Sequence, residues 1–261
     1  MPDEQRPSSA AQAAALRLTH WMQQADALPL RRDMVTLLTY VRDNRVTGTQ
    51  STGNLPLKAV REVTARFVHP PVLETTVGDR TFRVRSEYDV WPLYFLHTLA
   101  DVGGLLVGGR ARRWRLTPEG ARFLVTSPPL QVWILFAIWW ERVNWLIAYP
   151  LRGMGESLPP RLEEITLAHL LSLPVDTRIP FEPFADRLIQ ETRLTWTARN
   201  MTYARMSLHS AVRRMVIEIL VGFGVVEPEY EEKPLGRGTT RELVAFRVTP
   251  FGKGLLESLV A

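Results

Sequence analysis

The chain carries one pattern twice, about 130 residues apart, and this repeat limits its possible folds more than any other feature. Each copy contains an apolar segment that predicts a helix, then a glycine step and two short strands. Each copy ends in Arg-x-Thr-Pro-x-Gly, at 115–120 and at 247–252. Repetition on this scale predicts two copies of one small domain rather than a single large one.

The residue types at each position of the repeat can be explained by the backbone geometry that they favour. Thr117 and Thr249 are predicted N-caps, and the proline after each stands at the first helical position, where a missing N–H costs nothing. The glycine steps supply the positive φ that ends a helix and turns the chain into a strand (Gly103, Gly104, Gly222 and Gly224).

This order of elements resembles the winged helix-turn-helix family, in which a hairpin, the wing, follows the third helix. Members of that family often continue with a segment like Leu116–Gly120. The resemblance implies a mainly α fold with small β-hairpins (α+β), built from two winged-helix-like domains joined by a tryptophan-rich helix. The predicted boundaries are a disordered tail at 1–15, domains at 16–126 and 161–261, and a connection at 127–160.

Both copies depart from the family in the connection between the second and third helices. That connection is usually a turn of about 3–4 residues. Here a hairpin around Gly78-Asp79 is predicted in the first copy, and an insertion at 193–205 in the second. The third helix of the first copy, at about 91–99, has almost no polar side chains for base edges, so it predicts a poor recognition helix.

The basic charge is concentrated in the first copy. Residues 31–125 hold 15 basic and 9 acidic side chains, a net +6, whereas residues 126–261 hold 15 of each. Arginine accounts for 29 of the 32 basic residues, and its planar fork suits phosphate better than lysine does. A genome rich in G and C, or a warm habitat, is the alternative explanation of that ratio.

The first wing is the main candidate for DNA contact. Strand alternation predicts that Trp114 and Leu116 pack inward and that Arg113 and Arg115 face solvent. The predicted nucleic-acid-binding residues, which include two from the second helix, are Lys58, Arg61, Arg110, Arg112, Arg113 and Arg115. The alternative is an ordinary soluble hairpin whose arginines pair with nearby acidic residues.

The second wing is mixed in charge. Its candidate contacts are Lys233, Arg237 and Arg241, but the glutamates at 229, 231 and 232 would repel phosphate. A protein contact is therefore the alternative use of this wing.

A tryptophan-rich apolar helix is predicted at about 130–149. It is expected to be buried between the domains or against a partner, with Trp133, Trp139 and Trp140 as candidate interface residues.

Two functions follow. The first is a protein that binds double-stranded DNA mostly through its backbone, in transcriptional regulation or as a subunit of a larger complex. The alternative is a scaffold or adaptor whose degenerate winged helices bind a protein partner or a second copy.

Several classes of protein lack support in the sequence. The chain has no cysteine, no HExxH or other metal-ligand spacing and no nucleophile elbow, so we expect no enzyme activity, no metal and no cofactor. The stretch Thr47–Asn54 could cradle a phosphate, but a short strand and turn is the favoured interpretation. With no signal-peptide pattern and a longest apolar run of 11 residues, we expect a cytoplasmic protein without a membrane span.

Overall fold

The computed structural model describes residues 19–148, 158–197, 200–235 and 238–260. Within these ranges the chain is mixed α+β, with small antiparallel sheets among helices, as the sequence predicts. The predicted tail at 1–15 lies outside the described residues, and the domain boundaries remain a prediction.

The first half of the chain contains helices α1 to α5 and strands β1 to β5. In order they are α1 (19–27), α2 (Pro29–Asp43), β1 (Val46–Thr47), α3 (Leu57–Thr64), β2 (Glu74–Val77), β3 (Arg80–Arg83), a 3-10 turn (Glu87–Asp89), α4 (Trp91–Val102), β4 (Leu106–Gly109), β5 (Arg112–Leu116) and α5 (Pro118–Val125). We call α2 to α5 the first unit, and the β4–β5 hairpin the first wing.

Two connecting helices and a second unit follow. They are α6 (Pro128–Arg142), α7 (Trp145–Ala148), α8 (Leu162–Ser172), β6 (Ile179–Pro180), α9 (Phe181–Thr192), α10 (Met201–Val212), a π-helical segment (Arg213–Ile217), α11 (Glu218–Gly222), β7 (Val226–Leu235), β8 (Gly238–Val248) and α12 (Pro250–Glu257). We call α8 to α12 the second unit, and the β7–β8 hairpin the second wing.

The two units share a sheet topology that extends the repeat beyond what the sequence shows. Each hairpin gains a short third strand, in the order β1-β5-β4 in one unit and β6-β8-β7 in the other. The strand register also matches, since Val46 pairs with Trp114 and Ile179 pairs with Phe246. Trp114 and Phe246 each stand three residues before the capping threonine of their unit.

The threonine caps are confirmed in both units. The Thr117 hydroxyl accepts the N–H of Gly120 at 2.9 Å and donates to the carbonyl of Gly104 at 2.7 Å. The Thr249 hydroxyl makes the same two bonds in the second unit, at 2.8 Å each. One side chain thus fixes both the start of a helix and the glycine step before the hairpin.

The two units are packed together around α6. Phe136 and Trp139 of α6 lie against Phe223 of the second unit, with ring centroids 5.3 and 5.8 Å away. The N-terminal helix α1 also reaches the second unit, where Trp21 packs edge-on against Phe251. The buried apolar side chains therefore form one continuous core.

The predicted tryptophan-rich helix is two helices rather than one. The first ends at Arg142, and Val143 is extended at φ −87° and ψ 126°. Asn144 then starts the short α7, because its side-chain oxygen accepts the N–H of Leu146 at 2.9 Å. A polar residue that bonds to its own backbone interrupts an otherwise apolar run.

Other boundaries also differ from the sequence prediction. The pattern of residues 33–42 predicts a helix capped by Asp33, but α2 begins four residues earlier at Pro29. The third helix of the second unit begins at Met201, so part of the predicted insertion at 193–205 is helical. The sequence predicts a loose turn between Glu229 and Leu243, but the strands of the second wing continue to Leu235 and from Gly238. Lys233 and Glu242 form an ion pair across this part of the hairpin.

The hairpin predicted at Gly78-Asp79 is confirmed, with Val77 paired to Arg80 across a two-residue turn. Among the described residues, none of the helices is both long and apolar enough to cross a lipid bilayer.

Candidate nucleic-acid interface

The tip of the first wing is a tight turn. Gly109 pairs with Arg112, which leaves Arg110 and Ala111 as the turn residues. The glycine pair Gly108-Gly109 predicts the turn of this hairpin, but the turn lies two residues further along the chain. Gly108 instead lies in the strand under Trp114, whose ring would come within 2.4 Å of any Cβ at that position.

Trp114 fixes the wing to the rest of the unit. It is 4% exposed, and its indole N–H donates to the carbonyl of Gly53 at 2.8 Å. Its ring lies edge-on to His97, with centroids 4.3 Å apart. Because Trp114 and the half-buried Leu116 face inward, strand alternation turns Arg113 and Arg115 to solvent, as the sequence predicts.

The wing presents four exposed guanidinium groups, those of Arg110, Arg112, Arg113 and Arg115. None of the four forms an ion pair with any residue of the described chain. The expectation of an ordinary hairpin with neutralised arginines therefore does not describe this one. The wing keeps a concentrated positive charge directed at solvent.

Some arginines elsewhere on the surface do have acidic partners. Arg205 donates to Asp186 at 2.8 Å, and this hydrogen bond, followed by that from His209, holds the pKa of the Asp186 carboxyl below its usual value. Arg178 holds Glu229 through both of its oxygens, at 3.0 to 3.1 Å. Other exposed arginines also lack an ion pair with a described residue, so the first wing differs from the rest of the surface in placing four of them on one short hairpin.

Sequence reasoning missed one arginine that extends the basic surface. Thr47 pairs with Arg113 across the β1–β5 ladder, and Arg45 precedes it by two residues, so Arg45 lies on the same face as Arg113 and Arg115. Arg45 is exposed. No local signal could have found it, because the position depends on strands about 70 residues apart.

The second helix of the predicted winged-helix domain, α3, contributes less unpaired positive charge than the first wing. Lys58 and Arg61 are both exposed on α3. Lys58 lies 3.9 Å from Glu62, so part of its charge is offset, whereas Arg61 forms no ion pair with a described residue.

The second wing is net negative in the described residues, because its two strands hold five glutamates against Lys233, Arg241 and Arg247. Lys233 pairs with Glu242, and the Arg241 guanidinium lies 4.6 Å from the centroid of the Tyr230 ring. Arg237 lies outside the described residues. These partners reduce the positive charge that Lys233 and Arg241 could offer to phosphate.

The candidate tryptophan interface is largely internal. Trp139 and Trp140 are 0% and 7% exposed, covered by the chain itself, with Trp139 stacked on Trp145 at 4.8 Å. Trp133 is 39% exposed, and its indole N–H donates to the hydroxyl of Ser258 at 2.9 Å. Of the three, Trp133 alone is positioned to contact another molecule.

Comparison of the chain with protein-family models, with curated proteins and with solved structures finds no match. In the described ranges, no group of three or more histidine and acidic side chains is arranged to hold a metal ion.

Proposed function

We propose that this chain is a double-stranded DNA-binding protein of the winged helix-turn-helix type, and that the first wing is its main contact. The observation that carries the proposal is the set of four exposed wing arginines without acidic partners in the described chain. Arginine forks placed on a short, braced hairpin suit the oxygens of successive phosphates.

Backbone contacts should dominate over base reading. The exposed residues of α4 are Pro92, Asp101 and Val102, which offer no side-chain hydrogen-bond donor for a base edge. Because the third helix of the first unit is devoted to the core, sequence-specific insertion of α4 into the major groove has little chemical support.

The proposal predicts a steep salt dependence of binding. Four phosphate contacts give a slope of log K against log salt of about −3.6, which is a loss of roughly 150-fold between 50 and 200 mM salt. Fluorescence anisotropy with a labelled duplex of two helical turns measures this slope. In the double variant Arg113→Ala/Arg115→Ala, we expect the slope to fall to about −1.8 and duplex affinity to weaken.

A matched control distinguishes the wing from total charge. The double variant Arg142→Ala/Arg187→Ala also removes two exposed arginines that form no ion pair in the described chain. We expect it to bind duplex like the wild type. Equal losses in the two double variants would reduce the effect to net charge, and binding that is insensitive to salt would contradict the proposal.

One observation favours the scaffold function as a second candidate. Helix α10 exposes three large side chains, those of Met201, Tyr203 and Met206, which are 81%, 59% and 66% accessible. Large exposed apolar side chains on a third helix suit a protein contact better than phosphate. Self-association that sedimentation velocity detects in the absence of DNA would support it.

A further inference from the structure

A cavity of about 480 Å³ opens beside the first wing, within the size range of small-molecule sites. Three segments that are far apart in sequence form it: the 49–54 loop, the 85–88 turn with the start of α4, and the wing tip. Its lining includes the hydroxyls of Thr49, Ser51 and Thr52, the guanidiniums of Arg85 and Arg110, and the rings of Tyr88 and Tyr94.

The cations at this cavity are free, whereas the acids are engaged. Arg85 and Arg110 are exposed and form no ion pair with described residues. The buried Glu87 carboxylate accepts the N–H of Leu55 at 2.5 Å and lies 2.7 Å from Nδ1 of His97. The local charge offered to a ligand is therefore positive.

The acid next to the turn is engaged as well. Asp89 accepts the backbone N–H groups of Arg85 and Ser86, at 2.8 and 3.0 Å, and so holds the 85–88 turn in place. The lining arginine is thus positioned by its own backbone while its guanidinium stays unpaired.

The cavity is preformed. The wing tip and the 49–54 loop are in such close contact that a Cβ on Gly48 would lie 2.3 Å from the carbonyl oxygen of Gly109. Gly53 has φ +87° and a carbonyl that accepts the Trp114 indole N–H. Binding in such a rigid site needs little ordering of the protein.

The aromatic wall suits a flat ring. Tyr88 is 51% exposed and lies edge-to-face with Tyr94, with ring centroids 5.1 Å apart. Burial, the largest cause, raises the pKa of Tyr94, so its phenol stays neutral and adds no negative charge. A base can therefore stack on Tyr88 beside two arginines that attract its phosphate.

The second unit provides an internal contrast. A cavity at the corresponding place is lined by Arg213, Arg241 and His209, and each of these has a partner. Arg213 lies 3.3 Å from Glu218, Arg241 packs on Tyr230, and His209 lies 2.7 Å from Asp186. Free cations beside an exposed tyrosine thus distinguish the cavity of the first unit.

We infer that the cavity of the first unit holds one unpaired nucleotide of bound DNA, with its phosphate between Arg85 and Arg110 and its base against Tyr88. The inference rests on the proposed function and specifies its substrate as duplex DNA that contains a bulge, nick or single-stranded junction. Duplex is then held by the wing, and the discontinuity by the cavity.

The test compares three labelled DNAs by anisotropy at one salt concentration. They are a continuous duplex, the same duplex with one bulged nucleotide, and the same bulge without its base. We expect the wild type to bind the bulge roughly tenfold tighter than the continuous duplex, which corresponds to about 1.4 kcal/mol and lies within the range for one stacked base. The abasic bulge should lose most of that gain.

Two variants test whether Tyr88 is responsible for the preference for bulged DNA. Tyr88→Ala should bind bulged and continuous duplex equally, with unchanged affinity for the continuous one. Phe82→Ala removes a similarly exposed aromatic side chain from β3, 58% against 51%, and should keep the preference. Because both side chains are at least half exposed, thermal unfolding should confirm that both variants fold.

Equal binding of bulged and continuous duplex by the wild type would overturn the inference and leave duplex binding by the wing intact. A preference that persists in Tyr88→Ala, or in the abasic bulge, would also overturn it. Displacement of bulged DNA by a free deoxynucleoside monophosphate at micromolar concentration would assign the cavity to a free nucleotide instead. Failure to bind any of the three DNAs would remove the proposed function itself.

Discussion

Asp33 shows how a single residue can have a role that its sequence position disguises. It lies within α2, is 8% exposed and accepts the backbone N–H of Val68 at 2.8 Å. Burial, the largest cause, raises the pKa of its carboxyl, although the Val68 N–H and the nearby His69 and Arg32 act in the opposite direction. Burial thus disfavours the charged form of this carboxyl, while one of its oxygens provides the acceptor for the Val68 N–H.

The variant Asp33→Asn tests this role, because the amide keeps an acceptor for Val68. Since the folded pKa of Asp33 is raised, the folded state holds more protons between the ordinary pKa and the raised one, and stability falls as pH rises through that window. We expect Asp33→Asn to remove this fall and to match or exceed wild-type stability at neutral pH, within about 1 kcal/mol. Urea unfolding at acidic and neutral pH measures the free energy of unfolding of both proteins. An unchanged pH dependence in Asp33→Asn would contradict this role of Asp33.

The wing arginines likewise have a property that the sequence position of each residue does not reveal. Their number and alternation are visible in the sequence, but whether each has a carboxylate partner is not. The described chain places acidic side chains next to Arg178 and Arg205 and none within ion-pair distance of the first wing. Pairing depends on which distant segments meet, so only the fold could decide it.

At the scale of elements, the helix that follows each hairpin is locked to the preceding strand. Gly120 lies within α5, and a Cβ there would come 2.2 Å from the carbonyl oxygen of Leu105. Gly252 of α12 stands equally close to the carbonyl oxygen of Val225. The glycine of Thr-Pro-x-Gly is therefore required by close backbone approach, and the same requirement recurs in both units.

A pair of neighbouring substitutions tests that requirement. In an exposed helical position alanine is favoured over glycine by about 1 kcal/mol, so Ala121→Gly should destabilise by about that amount. Gly120→Ala should also destabilise, by about 1–3 kcal/mol, because the backbone of Leu105 must move. Chemical unfolding compares the stabilities of the two variants. Stabilisation by Gly120→Ala would show that the backbone of Leu105 can move away at little cost.

At the scale of the whole molecule, the two copies of the repeat behave as one body with a shared core. The sequence predicts two domains with a connecting helix. In the structure, Leu30 of the first unit lies next to Gly222 of the second, and α1 and α6 place aromatic side chains against Phe251 and Phe223 of the second unit. Phe223 is fully buried in this contact. The relative placement of the units is thus fixed by side-chain packing.

This packing predicts one cooperative unfolding transition, with coincident changes in tryptophan fluorescence and far-ultraviolet circular dichroism. Phe223→Ala should lower the free energy of unfolding by about 3–5 kcal/mol and shift both signals together. Phe82→Ala, at a side chain 58% exposed on β3, should change it by no more than about 0.5 kcal/mol. Two separate transitions in the wild type would indicate independent domains.

The sequence by itself determined the features that depend on neighbours a few residues apart. These include the threonine caps, the positive φ of Gly104 and Gly224, the hairpin at Gly78-Asp79 and the inward face of Trp114. Gly103 and Gly222, also predicted to have positive φ, do not have it. Each follows from local geometry: a hydroxyl reaches the N–H three residues on, and side chains along a strand alternate.

Only the tertiary structure decided the rest. The third strands β1 and β6, the burial of Trp139, the position of Arg45 and the cavity between Arg85 and Arg110 all depend on segments that are distant in sequence. The physical reason is that hydrophobic burial is not directional and does not specify which apolar faces meet. Register and close packing choose among them, and that choice decides which charges are left facing solvent.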